Sequence, residues 1–113
     1  MIQPKEFFKF LSDETRLRCL ILLQREQELC VCELSHTIGM IQPKISRHLA
    51  LLRQSGLVSD ERRGQWVYYR LGEKIQPSWK KILVNIVEEL KDIDPYRSDY
   101  QNLLKLRITK PCD

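Results

Sequence analysis

The sequence has little glycine: four residues in 113, at Gly39, Gly56, Gly64 and Gly72. No two stand close enough for the glycine-rich turn of a dinucleotide site, which excludes that fingerprint. No run approaches the roughly 18–20 apolar residues that a membrane-spanning helix needs. The first ten residues carry Lys5, Glu6 and Lys9, which interrupt the apolar stretch of a secretory signal. A cytoplasmic protein with no membrane partner is expected. Histidine is scarce, with only His36 and His48. No acid–base pair or nucleophile triad is evident, and the one Cys-x-Cys lacks the spacing of a disulfide oxidoreductase motif. An enzyme with a small-molecule substrate is therefore not expected. What remains is an ordinary globular composition, 30% charged and 42% hydrophobic, sized for one compact domain.

The charge is unevenly placed. Of the net +4, residues 39–72 account for the whole surplus, with Lys44, Arg47, Arg53, Arg62, Arg63 and Arg70 against only Asp60 and Glu61. Residues 39–59 contain no acid at all. Such a segment suits a polyanionic partner, or it is a solvated face with a charge bias.

Hydrophobic spacing gives an order of elements. Residues 2–11 form a short aromatic-rich helical pattern with Phe7, Phe8, Phe10 and Leu11. Ser12, Asp13 and Glu14 then cap a second helix. Residues 30–38 read as a third helix, with Val31, Leu34 and Ile38 on one face and Gly39 as its left-handed stop. Pro43 opens a fourth helix with a stripe of Ile45, Leu49 and Leu52, and Gly56 ends it. Residues 57–62 and 66–71 are β-rich runs around a turn at 63–65. Pro77 opens a fifth helix carrying Trp79, Ile82, Leu83, Ile86, Val87 and Leu90. The order predicts a mostly α fold with a small β-hairpin, a winged helix-turn-helix that binds DNA. Residues 1–94 are assigned to that domain. Residues 95–113 are assigned to a C-terminal tail, with room for one short helix over 98–107 and a loose, mobile end.

With Ile45 facing the core, a helical step of 100° turns Arg47 outward, with Lys44 and Ser46 beside it. Gln42, Lys44, Ser46 and Arg47 are the expected readers in a major groove, since arginine suits guanine edges and glutamine suits adenine. His48 lies on a shoulder of this face, where packing, a phosphate bond and a base contact all remain open. Arg62 and Arg63 at the hairpin tip suit the DNA backbone or an adjacent minor groove. Trp66, Tyr68 and Tyr69 read as strand packing rather than base stacking.

Four thiols are present: Cys19, Cys30, Cys32 and Cys112. A cytosolic chain keeps thiols reduced, so no disulfide is expected. Cys19 reads as a small buried hydrophobe. On a regular helix the Cys30 and Cys32 sulfurs lie 200° apart and share no ion. An extended turn brings residues i and i+2 to one side, where a soft thiophilic ion bridges them. Two plain structural cysteines is the other reading. A bridging ligand would compete with the first turn of the DNA-reading unit, which makes a switch.

Residues 28–34 (Glu-Leu-Cys-Val-Cys-Glu-Leu), 42–53 (Gln-Pro-Lys-Ile-Ser-Arg-His-Leu-Ala-Leu-Leu-Arg), 55–58 and 64–71 together resemble the ArsR/SmtB family of metal-responsive winged-helix repressors. The resemblance covers residues 3–92 and is nearest to the arsenic-responsive branch. It implies a homodimer on palindromic double-stranded operator DNA, with no cofactor in the DNA-bound form. Trivalent arsenic or antimony would act as inducer on Cys30 and Cys32. Two positions depart from the branch. Ser35 stands where a third cysteine is common, so the third ligand is Cys112, a small-molecule thiol or none. Ile41 replaces a capping serine worth about 1 kcal/mol. Another soft metal ion, or oxidation of the same thiols, is the alternative. Zinc is disfavoured because the fifth helix lacks an Asp-x-His pair. Dimerisation through the terminal helices accounts for more apolar surface on the first and fifth helices than so small a core needs; an intramolecular core is the competing explanation.

Overall fold

A computed structural model describes residues 2–112. The chain runs α1 (Pro4–Leu11), α2 (Glu14–Arg25), β1 (Leu29–Cys30), α3 (Val31–Ile38), α4 (Gln42–Ser55), β2 (Val58–Arg63), β3 (Trp66–Leu71), α5 (Pro77–Leu90) and α6 (Tyr96–Thr109). Local chemistry sets the ends. Asp13 caps α2 by accepting the Arg16 N–H at 3.0 Å. Gly39 (φ 80°) and Gly56 (φ 90°) end α3 and α4 in the left-handed region, where a Cβ is costly. The mostly helical fold with a hairpin wing is as the sequence predicts.

The stripe Ile45, Leu49 and Leu52 of α4 is fully buried against Leu20, Leu22, Leu23, Leu34 and Leu57. The β2–β3 hairpin pairs Arg63 with Trp66 across the Gly64-Gln65 turn, and Val58 with Leu71 at its base. Gly72 holds this base close to the end of α4, since a Cβ there would lie 2.1 Å from the Gly56 carbonyl oxygen.

Two features differ from the sequence expectation. The third helix starts at Val31, because Leu29 and Cys30 form a short strand on the free edge of β3, opposite Tyr69 and Tyr68. Two residues are too few to show a strand period. The second difference is the C-terminus. Residues 96–109 form a helix of 14 residues, longer than the short one expected, and it is docked on the core rather than loose. Leu103 and Leu106 are buried. Asp99 is 2% exposed and bonded through both carboxylate oxygens to Arg18 of α2, at 2.8 and 2.7 Å. Arg18 also donates to the Ile38 carbonyl, Asn102 donates to the Thr37 carbonyl, and Arg107 pairs with Glu26. The Arg25 guanidinium covers the Tyr100 ring at 3.5 Å.

Candidate nucleic-acid interface and thiol cluster

The α3–α4 turn is tied by its own backbone. The N–H groups of Gly39 and Met40 both donate to the Ser35 carbonyl, at 2.9 and 3.1 Å, and the Ser35 hydroxyl donates to the Met40 carbonyl. Ser35 thus fastens the turn that aims α4. Ile41 occupies the N-cap with no side-chain bond; Pro43 has no N–H to satisfy, and the Lys44 N–H donates to the Ile41 carbonyl at 3.1 Å.

Gln42 at the tip of α4, Lys44 and Arg47 are exposed, and Ser46 is half-buried. His48 is set apart. Its Nδ1 lies 3.9 Å from Asp13 of α2 and has no hydrogen-bond partner among the described residues. Burial lowers the His48 pKa below its ordinary value, although the Asp13 carboxylate opposes it. Burial alone would raise Asp13; the Arg16 N–H, His48 and Arg16 charge together hold it low.

The basic segment is partly neutralised within the fold. Arg53 meets Asp60 at 2.9 Å and Arg70 meets Glu73 at 2.9 Å. Arg63 is bonded to Glu28 at 2.6 Å and to Glu61 at 2.7 Å, and its guanidinium lies 4.6 Å from the Tyr68 ring. Those carboxylates raise its pKa further. Arg63 therefore straps the wing to Glu28, the residue just before β1. Lys44, Arg47 and Arg62 are exposed and have no ion pair among the described residues. The sequence placed Arg62 and Arg63 together at the tip; the fold separates their surroundings. Glu28 is 35 residues away, and no local pattern reveals it.

Cys30 is the N-cap of α3, in extended backbone (φ −87°, ψ 164°), with its N–H donating to Glu33 at 2.9 Å. A thiol at a helix N-terminus is ordinarily acidified. Here burial pushes the Cys30 thiol up, helped by the Glu33 charge and opposed by the Glu33 N–H. Cys32 lies one step inside the helix and is buried. Contrary to the expectation of four separate thiols, Cys32 is bonded to Cys112. The pairing follows from the docked α6: after Lys110 turns into the left-handed region, the chain comes back over the start of α3. Cys19 is fully buried, and burial pushes its thiol up to about 12, as suits a packing residue.

Two clefts flank this cluster. One, of about 290 Å³, is lined by Cys30, Glu33, Trp66, Tyr68, Leu106 and Cys112 among others. The other, of about 190 Å³, is lined by Val31, Cys32, Gln42, Ser46, Gln65, Trp66 and Val67. Cys32 therefore shares a cleft with the first turn of α4 and the turn of the hairpin.

Residues 13–60 match the family described as bacterial regulatory protein, arsR family. The arsenic resistance transcriptional regulator ArsR1 of Pseudomonas putida is 54% identical over 79 residues, 70% of this chain, and the chain spans only 61% of that relative. The arsenical resistance operon repressor of Escherichia coli is 51% identical over 82 residues, 73% of this chain and 69% of the relative. The crystal structure of the AntR antimony-specific transcriptional repressor superposes with a TM-score of 0.62 at 29% identity, over 81% of this chain and 88% of that one. No described helix is long and apolar enough to cross a membrane. The chain belongs to the arsR family of DNA-binding bacterial regulators, winged helix-turn-helix proteins that are not enzymes.

Proposed function

We propose that this chain is a cytoplasmic transcriptional repressor that binds operator DNA as a homodimer and is released by trivalent arsenic or antimony. The observation that carries this reading is the position of Cys32. It lines a cleft with Gln42, Ser46 and Gln65, and its bonded partner Cys112 lines the neighbouring cleft with Cys30. A ligand that moves the first turn of α3 thereby disturbs the parts that would meet DNA. The names of the arsenic-resistance relatives and of the antimony-specific repressor support the choice of inducer.

On DNA, Gln42, Lys44, Ser46 and Arg47 read the major groove. Arg62 contacts backbone or minor groove. His48 serves the α2–α4 contact, and Arg63 holds the wing in place; a DNA role for either is secondary. One α4 and one wing bury too little surface for strong specificity, so two half-sites are expected. The exposed Phe8 and Val84 and the apolar groove of Ile82, Ile86 and Leu90 on α5 support a dimer through α1 and α5. The DNA-bound form needs no cofactor.

The inducer needs soft donors, and trivalent arsenic takes three thiolates. Cys32 and Cys112 are joined to each other, and Cys30, already extended rather than helical, lines the same cleft as Cys112; these three are the thiols offered. In reduced protein, Cys30→Ser and Cys32→Ser should each abolish measurable arsenite binding in a calorimetric titration. Cys112→Ser should weaken it by about tenfold or more, as loss of a metal-site partner does. Unchanged affinity in Cys112→Ser would reduce the site to the α3 pair. A second reading, release by thiol oxidation, is favoured by one observation, the Cys32–Cys112 bond itself. Operator affinity lost on oxidation and restored by reductant, with no response to arsenite, would select it.

A further inference from the structure

We propose that the reduced chain also holds a divalent thiophilic cation of the zinc or cadmium class on Cys32, His36 and Cys112. One ligand atom from each of the three lies within 4.8 Å of the other two. Cys32 and His36 are four residues apart on α3, one turn along the same face. Cys112 is supplied from the far end of the chain by α6. The sequence offered His36 no partner; the fold supplies two.

The donor set has definite chemistry. Metal–sulfur bonds of about 2.3 Å and metal–nitrogen bonds of about 2.0 Å around a tetrahedral ion place ligand atoms roughly 3.3–3.8 Å apart. The three groups are within a small adjustment of that spacing once the sulfurs separate. Opening the Cys32–Cys112 bond takes two electrons and two protons. An added phosphine supplies the electrons and becomes its oxide with oxygen from water, leaving two thiols. The entering ion displaces both thiol protons, so two protons leave per ion bound. Two thiolates and an imidazole suit a borderline-soft divalent ion. Trivalent arsenic takes thiolates and leaves imidazole alone. His36 therefore separates the two ligand classes, although both use Cys32 and Cys112 and must compete. His36 is exposed and Cys112 half-buried, so the fourth position of the ion is open to water.

The inference does not rest on the response to arsenite, and the test keeps the two apart. Phosphine-reduced protein is titrated with Co2+ as a spectroscopic probe, and Zn2+ is then used to displace it. The wild type should show a thiolate-to-cobalt charge-transfer band and the visible bands of a tetrahedral ion. His36→Gln, an exposed substitution, should weaken cobalt and zinc binding by about tenfold or more while leaving arsenite affinity unchanged. Cys30→Ser should keep the cobalt spectrum. Absence of the bands in the wild type, or equal cobalt affinity in His36→Gln, overturns the site. Cobalt binding through His36 in a protein indifferent to arsenite would sink the proposed inducer and leave this site standing.

Discussion

Asp99→Ala should lower the stability of the folded chain by about 3 kcal/mol, the low end of the range for stripping one partner from a buried ion pair. For a chain of this length that is a fall in Tm of roughly 10–20 °C. Arg18 stays only 13% exposed in its side chain, with its guanidinium turned toward a vanished carboxylate. Glu14 at 3.8 Å and some access to water soften the loss. Asp99 is also the polar anchor of α6 on α2, so the variant should loosen α6, which stays tethered at its far end by the Cys32–Cys112 bond until that is reduced. Hydrogen exchange should therefore rise first in residues 96–109, before the rest of the chain. Replacing both partners at once, Arg18→Met with Asp99→Leu, should recover much of the stability, because the cost lies in the unpaired charge. Equal losses in the single and double variants would show that the pair contributes net attraction and that this reasoning misplaces its source.

Arg47→Ala should cost operator affinity far more than any other single change on α4. A bidentate arginine–guanine contact is worth about 1–3 kcal/mol, and a dimer carries two. The expected loss is between about 30-fold and 10⁴-fold, with dimerisation and Tm unchanged because Arg47 has no ion pair among the described residues. Arg62→Ala should behave differently. A phosphate contact weakens binding to all sequences alike and reduces the salt slope by about one per half-site. Arg63→Ala should differ again, since it cuts the strap to Glu28 and Glu61 and loosens the wing as a whole. Fluorescence anisotropy on specific and scrambled duplexes across a salt series separates the three. Unchanged specific affinity in Arg47→Ala would contradict the face assigned to α4.

The reading helix was legible because its signals are local. Pro43, Gly56 and the Ile45, Leu49, Leu52 stripe bracket α4 to within a residue of its observed span. The hairpin was legible for the same reason, through β-rich runs on each side of the turn at 63–65. α6 was not. Its buried positions are Asp99, Leu103 and Leu106, a helical spacing with a carboxylate where the pattern calls for an apolar residue. That carboxylate is acceptable only because Arg18 meets it from a helix 81 residues away. The short strand at Leu29 and Cys30 is equally silent, since its reason is the free edge of β3. The thiol cluster inherits both gaps. Without β1, Cys30 reads as helical; without α6, Cys112 reads as a loose end. One of the two positions that depart from the arsenic-responsive pattern gains an account from the fold, and so does the third thiol. Ser35 fastens the α3–α4 turn, and Cys112 reaches the cluster from the other end of the chain.

The measurement that bears most directly on the whole account is arsenite titration of the reduced protein bound to a fluorescent operator duplex, followed by anisotropy, with Cys32→Ser in parallel. The account predicts that arsenite releases the wild-type protein, while the Cys32→Ser protein binds the operator as tightly and stays bound throughout. A wild-type complex that ignores arsenite, or a Cys32→Ser complex released at the same concentration, would contradict it.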